Sequence, residues 1–142
     1  MNGLQENHPA LKGVKDVWGF TDVYTVSSLD ARSTVLLYGL STQALDPASL
    51  PNYNKSIMPI AWTRDYVGEA GKHSRIFTTT LGSSVDLQNE DLRRMIVNAS
   101  FWGLGMENKI ADKANVDPVG NYQPIMFGFG KYKKGMKPAD YE

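Results

Sequence analysis

MPIAWTRDYVGEAGKHSRIFTTTLGSSVDLQNEDLRRMIVNASFW, residues 58–102, decides the fold. Residues 57–66 predict a strand, with Pro59 near the start where a missing N–H is tolerated. Gly68 to Lys72 supplies a turn, and residues 75–81, RIFTTTL, supply the partner strand. Phe77, Thr79 and Leu81 then share one face, and Ile76, Thr78 and Thr80 the other. Two such runs joined by a short glycine-bearing turn predict an antiparallel hairpin.

A helix follows. Asn89 suits the N-cap, and Glu90 and Asp91 place negative charge in the first turn. Leu92, Met95, Ile96, Ala99 and Trp102 recur at helical spacing as one apolar stripe. Arg93, Arg94 and Asn98 fall outside the stripe, facing solvent or a partner. Gly103 and Gly105 end the helix.

Upstream, residues 1–20 are polar and broken by glycines and Pro9, which opens a short turn through Lys12 behind His8. Residues 22–26 (DVYTV) predict a short strand. Residues 34–38 (TVLLY) form an unbroken apolar run that reads as a strand buried on both faces, ended by Gly39. Residues 41–56 read as loop. After Asn108 the chain is polar, then alternates Gly, Pro and aromatic residues as an extended tail lying over a surface. The domain reading is therefore 1–107 for the folded unit and 108–142 for the tail.

Four strands and one helix cannot cover both faces of a sheet. The missing cover must come from the tail, a second subunit or further chain. A two-fold homodimer is the simplest expectation.

The 142 residues suffice for one domain with a core, and 42% hydrophobic with 21% charged residues is an ordinary globular composition. Fifteen basic residues balance fifteen acidic ones, which argues against a nucleic-acid or anionic-membrane partner. The KYKKGMK run at 131–137 is basic but short, and reads as solvated tail. With no cysteine, disulfides and thiolate chemistry are excluded. No apolar run approaches the roughly 20 residues of a membrane span. The N-terminus has no apolar signal core, so the chain as written is expected in the cytoplasm, or exported if an upstream segment carries a signal.

The middle block resembles the C-terminal half of the trehalose-utilisation (ThuA-like) family. The resemblance is carried by Ala61-Trp62-Thr63, by Thr79-Thr80-Leu81-Gly82, and by Arg93-Arg94 running through Asn98 to Trp102, with His8-Pro9 matching the family's H-P segment. It spans roughly residues 7–135. It implies an α/β, flavodoxin-like (class I glutamine amidotransferase-like) fold. Here that would be a partial version: a mixed sheet with a β-hairpin and one main C-terminal helix. The family's first βαβ units, with the region of the amidotransferase nucleophile turn, would lie upstream of His8, so the chain reads as one half of that domain. Many relatives carry a histidine directly after T-L-G, where this chain has Ser83. A hydroxyl binds polar ligands but is no base near neutral pH.

The candidate site is the strand-to-helix loop, with Thr80, Gly82, Ser83 and Ser84, where α/β proteins place ligands. Asp86 reads as a cap on a backbone turn rather than a metal ligand. Trp62, Thr63 and Arg64 set an aromatic face beside a hydroxyl and a guanidinium, which suits a sugar. The alternative packs Trp62 in the core and pairs Arg64 with Asp65 or Glu69. His8 reads as a cap or a site residue, and His73 as solvated. Phe127 and Phe129 read as tail anchors, and GFG alone is weak evidence for phosphate. The two histidines show no ligand spacing, so neither metal nor cofactor is expected.

Three functions fit this inventory. One is a ThuA-like protein binding a carbohydrate-related ligand or partner without catalysis by this chain alone. Another is a sugar-metabolism enzyme whose active site is completed by further chain or another subunit. The last is an inert packing module.

Overall fold

The computed structural model describes residues 5–126 and 128–141. Three strands form one sheet in the order β1-β2-β3, with β1 at Ser33–Gly39, β2 at Met58–Val67 and β3 at His73–Thr79. One main helix, α1, spans Glu90–Gly103. The α/β class therefore holds as an antiparallel sheet with one main helix.

Both strand pairings are antiparallel, so the sheet is not mixed among the described residues. The connections explain this. A parallel neighbour needs a long crossover, usually helical, whereas the β2–β3 turn is a tight one closed by the Gly68 N–H on the Lys72 carbonyl at 2.9 Å. The 40–57 segment also lacks a helix, and β1 returns antiparallel to β2.

Residues 22–26 form no strand. Just ahead of them, the Phe20 and Thr21 N–H groups donate to the Asp86 side chain instead of to a neighbouring strand. Val23 packs its side chain on the core next to Gly39 and Ile60. The segment is a strap across the sheet end, held by side chains rather than by a ladder.

TVLLY is only partly buried on two sides. Register shifts flank Leu37, where β1 faces Ala61 of β2, and both Leu36 and Leu37 are buried. Such irregularities re-aim side chains across the pleat. Tyr38 is left mostly exposed.

The helix forms for the reasons read from its sequence. The Asn89 side chain accepts the Leu92 N–H at 2.8 Å, and Glu90 and Asp91 occupy the first turn. At the other end Gly105 adopts φ +70°, its N–H reaches the Trp102 carbonyl and the Met106 N–H reaches Phe101. That paired bonding is a Schellman closure, which favours glycine at the left-handed position. Leu92, Met95 and Ala99 are buried against Leu37, Ala61, Leu81 and the N-terminal Ala10 and Leu11.

Arg94 and Asn98 do not face solvent. Asn98 is 1% exposed, and its Nδ2 donates to the Lys12 carbonyl at 2.8 Å and, more weakly, to Ala10 at 3.4 Å. Arg94 is buried and donates to the Ala114 carbonyl, while Arg93 donates to Val116. The helix is flanked by the sheet, the N-terminal 3-10 turn Pro9–Leu11 and the tail, so its buried arc exceeds its apolar stripe. Part of the expected missing cover is thus the chain's own two ends.

Candidate functional site

The loop after β3 is built around Asp86. The last rung of the sheet is the Thr80 N–H on the Ile60 carbonyl at 3.0 Å. The chain then turns at Gly82, whose φ of +149° favours a residue without a Cβ. Asp86 opens the 3-10 turn Asp86–Gln88 and is 1% exposed. One carboxylate oxygen accepts the Gly82 and Ser83 N–H groups, each at 3.0 Å, and the Thr21 hydroxyl. The other accepts the Phe20 N–H at 2.7 Å and the Thr21 N–H at 3.1 Å.

Burial alone would push this carboxyl up. The hydrogen bonds from the Thr21 hydroxyl and from the Gly82 and Ser83 amides outweigh it and hold Asp86 below its ordinary value. The Ser83 hydroxyl lies close enough to add to that effect, though short of full hydrogen-bond geometry. Gly19 belongs to the same device, since a Cβ there would sit 2.8 Å from Asp86 Oδ1. Asp86 thus binds the backbone of its local turn and also clamps the strap 65 residues upstream.

Between strap and loop opens a cleft of about 510 Å³. Thr80, Gly82 and Ser83 line one wall, Thr21, Asp22 and Tyr24 the other, and Phe129 of the tail borders it. Thr80 Oγ1 is buried and has no hydrogen-bond partner among the described residues. Tyr24 is half exposed and the Asp22 carboxylate is open to solvent. The cleft is therefore lined by a carboxylate, a phenol and a second aromatic ring, with an unsatisfied hydroxyl buried in its wall. Among the described residues, its lining holds no histidine, lysine or arginine. These groups can hydrogen-bond and stack on a polyhydroxylated molecule.

The other candidate residues are elsewhere. Ser84 is engaged by the tail: its Oγ donates to the Ile125 carbonyl at 3.0 Å, and its own carbonyl accepts the Tyr122 hydroxyl at 2.5 Å. His8 caps the Pro9–Leu11 turn, its Nδ1 accepting the Ala10 N–H at 3.1 Å, with its ring 5.1 Å from that of Trp102. Burial first, then the Arg75 charge, lowers its pKa. Arg75 lies over Trp102 and also binds Glu107 and the Trp102 carbonyl.

Trp62 and Arg64 share the sheet face with Val35 and Thr78, opposite the face on which Arg75 meets α1. Trp62 is only half-buried, and neither residue lines the cleft. Arg64 pairs with Asp30 at 3.3 Å, not with Asp65 or Glu69. The turn before β1 brings Asp30 across the sheet, a distance no local spacing reveals. Phe127 lies outside the described residues, while Phe129 is largely exposed at the cleft edge. No group of three or more metal-ligating side chains occurs among the described residues.

Sequence reasoning missed Thr21, Asp22 and Tyr24. Asp22 and Tyr24 belong to DVYTV, whose composition is that of a strand, and the local signal against it is Gly19 two residues before Thr21.

Comparison with known proteins returned no matching family model, no matching curated protein and no matching solved structure.

Proposed function

We propose that this chain is a ThuA-like domain protein that binds a carbohydrate-related ligand, or a partner presenting one, without catalysing a reaction by itself. The single observation behind this reading is the division of labour around the strap. The cleft is bordered by the buried Thr80 hydroxyl, which no described protein group satisfies, and by the exposed Asp22 carboxylate, while the buried carboxylate of Asp86 is consumed by backbone and Thr21 donors. A sugar needs such hydroxyl and carboxylate partners with an aromatic face, here Tyr24. A nucleophile would need a base within reach; neither His8 nor His73 lines the cleft, and no hydroxyl of the described residues hydrogen-bonds Asp22, the Thr21 hydroxyl being bound to Asp86 instead. The family reading rests on the sequence motifs quoted above.

Titration calorimetry with trehalose, other disaccharides and oxidised sugars, with product analysis of the same samples, tests this reading. Saturable binding without product is expected. Turnover by the isolated chain, or no binding to any of them, would overturn it.

We further propose that the chain self-associates as a two-fold pair. A small sheet whose outer strands have no further neighbour among the described residues supports this, together with the large apolar side chains left in water.

A further inference from the structure

The connection between β1 and β2 is an ordered excursion that presents its apolar side chains outward. The Gln43 N–H meets the Leu50 carbonyl at 2.9 Å, the Asn52 N–H meets Ser41 at 2.7 Å, and Thr42 bridges Pro51. The Ala44 N–H is held by Ser49 Oγ at 3.1 Å, and the Ala48 N–H by Asp46 Oδ1 at 2.9 Å. These bonds fix a loop that a solvated linker would not need. Yet Tyr38, Leu45, Leu50, Tyr53 and Ile57 remain 58–81% exposed. Gly39 pairs with Met58 where the excursion closes, so the segment carrying these side chains leaves and re-enters the sheet at one end.

We propose that this excursion is the surface through which two copies of the chain associate. The inference rests on the self-association proposed above and gives it a location.

Area supports a second copy as the occupant. Summed over the five residues, the exposed area is about 600 Å², the scale of the largest apolar patch of an ordinary monomer. With its polar rim that approaches the roughly 800 Å² per partner of a stable interface. Charge supports it too. Residues 38–57 carry only Asp46 and Lys55, one of each sign, and the whole chain has no net charge. Two copies therefore do not repel, and in a two-fold arrangement Asp46 of each can approach Lys55 of the other. A nucleic acid or anionic bilayer would require a basic surface that the excursion lacks.

The test is sedimentation equilibrium of the full chain at 1–100 µM, run on wild type, on Leu45→Glu/Leu50→Glu, and on Ile76→Glu, with circular dichroism confirming that each is folded. Both leucines are largely exposed, so their replacement leaves the core intact. Ile76 is opposite Arg64, away from the end where Gly39 meets Met58, and serves as the comparison. The expected result is a wild-type dimer, a dissociation constant raised at least a hundredfold in the double variant, and no change in Ile76→Glu. A monomeric wild type overturns both self-association and its surface. A dimer that survives in the double variant overturns the surface alone, as does a dimer lost only in Ile76→Glu. A wild type that stays monomeric but floats with neutral phosphatidylcholine vesicles overturns the proposal in favour of a lipid surface. Sugar binding is measured separately, so none of these outcomes bears on it.

Discussion

Asp86 and Thr21, 65 residues apart, are joined twice: the Thr21 amide donates to one carboxylate oxygen and its hydroxyl to the other. Through this pair the strap before β1 and the loop after β3 become one rigid frame around the cleft. Everything proposed for ligand binding depends on that frame.

Replacing Asp86 should therefore damage stability before it damages anything else. Asp86→Ala takes the acceptor from the partly buried N–H groups of Phe20, Thr21, Gly82 and Ser83 and is expected to cost about 2–4 kcal/mol. Thr21→Val removes one donor and should cost about 1–2 kcal/mol. Urea unfolding of the two single variants and the double variant checks both values. The double should fall short of the sum, because both changes remove one shared contact.

The acid limb of stability should carry two signatures. Asp86 has a lowered folded pKa, so its contribution is complete above the ordinary carboxylate value, 3.8, and is lost as the pH falls through the lower folded value. His8 is also lowered, by burial and by Arg75, from 6.5. Its unfolded form binds a proton more readily than the folded one, so stability begins to fall as the pH drops below about 6.5 and stops falling beneath the folded value. Urea midpoints from pH 3 to 8 should show the upper step disappear in His8→Asn. A step that persists unchanged there would assign it to another group.

How much of this was legible varies by element. The β2–β3 hairpin and α1 could be read because their signals are local: a glycine turn between β-rich runs, and an N-cap, an apolar stripe and a glycine stop within one helix. The strap could not. DVYTV has the composition of a strand, but whether it pairs depends on a carboxylate more than 60 positions downstream. The same applies to Arg64, whose partner Asp30 lies in a different turn. In the candidate site, the loop residues Thr80, Gly82 and Ser83 were found from their place between strand and helix. Nothing local reveals that the tail returns to Ser84.

Asn98 tests whether the N-terminal segment is part of the fold. Its side chain is buried and donates to the carbonyls of Lys12 and Ala10, fastening the 3-10 turn to α1. Asn98→Leu fills similar volume but removes the donor, and should cost about 1–3 kcal/mol. Amide exchange should accelerate around Leu11 and Val14, whose N–H groups close that turn, more than in β2 and β3. Uniform acceleration would mean that the segment and the sheet unfold as one unit.

Gly39 is needed for space rather than for turn geometry. An added Cβ would lie 2.4 Å from Ile60 Cγ2 and 3.3 Å from Val23 Cγ2. Gly39→Ala should cost about 1–3 kcal/mol through overpacking where β1, β2 and the strap meet. Combining it with Ile60→Ala should cost less than the two changes added, since the second removes the atom that the first strikes. Thermal unfolding of the four proteins reads this directly, and strict additivity would place the strain elsewhere.

The ligand reading makes its sharpest demand on Tyr24 and Thr80. Both line the cleft, and neither belongs to the buried core. Tyr24→Ala removes the half-exposed ring and should weaken sugar binding about tenfold, in line with the loss of roughly 1.4 kcal/mol of stacking and apolar contact. Thr80→Val keeps the shape but deletes a buried hydroxyl that has no protein partner among the described residues. In the free protein this should be neutral or slightly stabilising, because an unsatisfied polar group is removed. In the complex it should lower affinity, because the ligand loses its partner. That opposition is measurable by comparing urea midpoints with titration calorimetry on the same variant. If Thr80→Val stabilises the protein and leaves affinity unchanged, the hydroxyl does not face the ligand and the binding site lies outside this cleft.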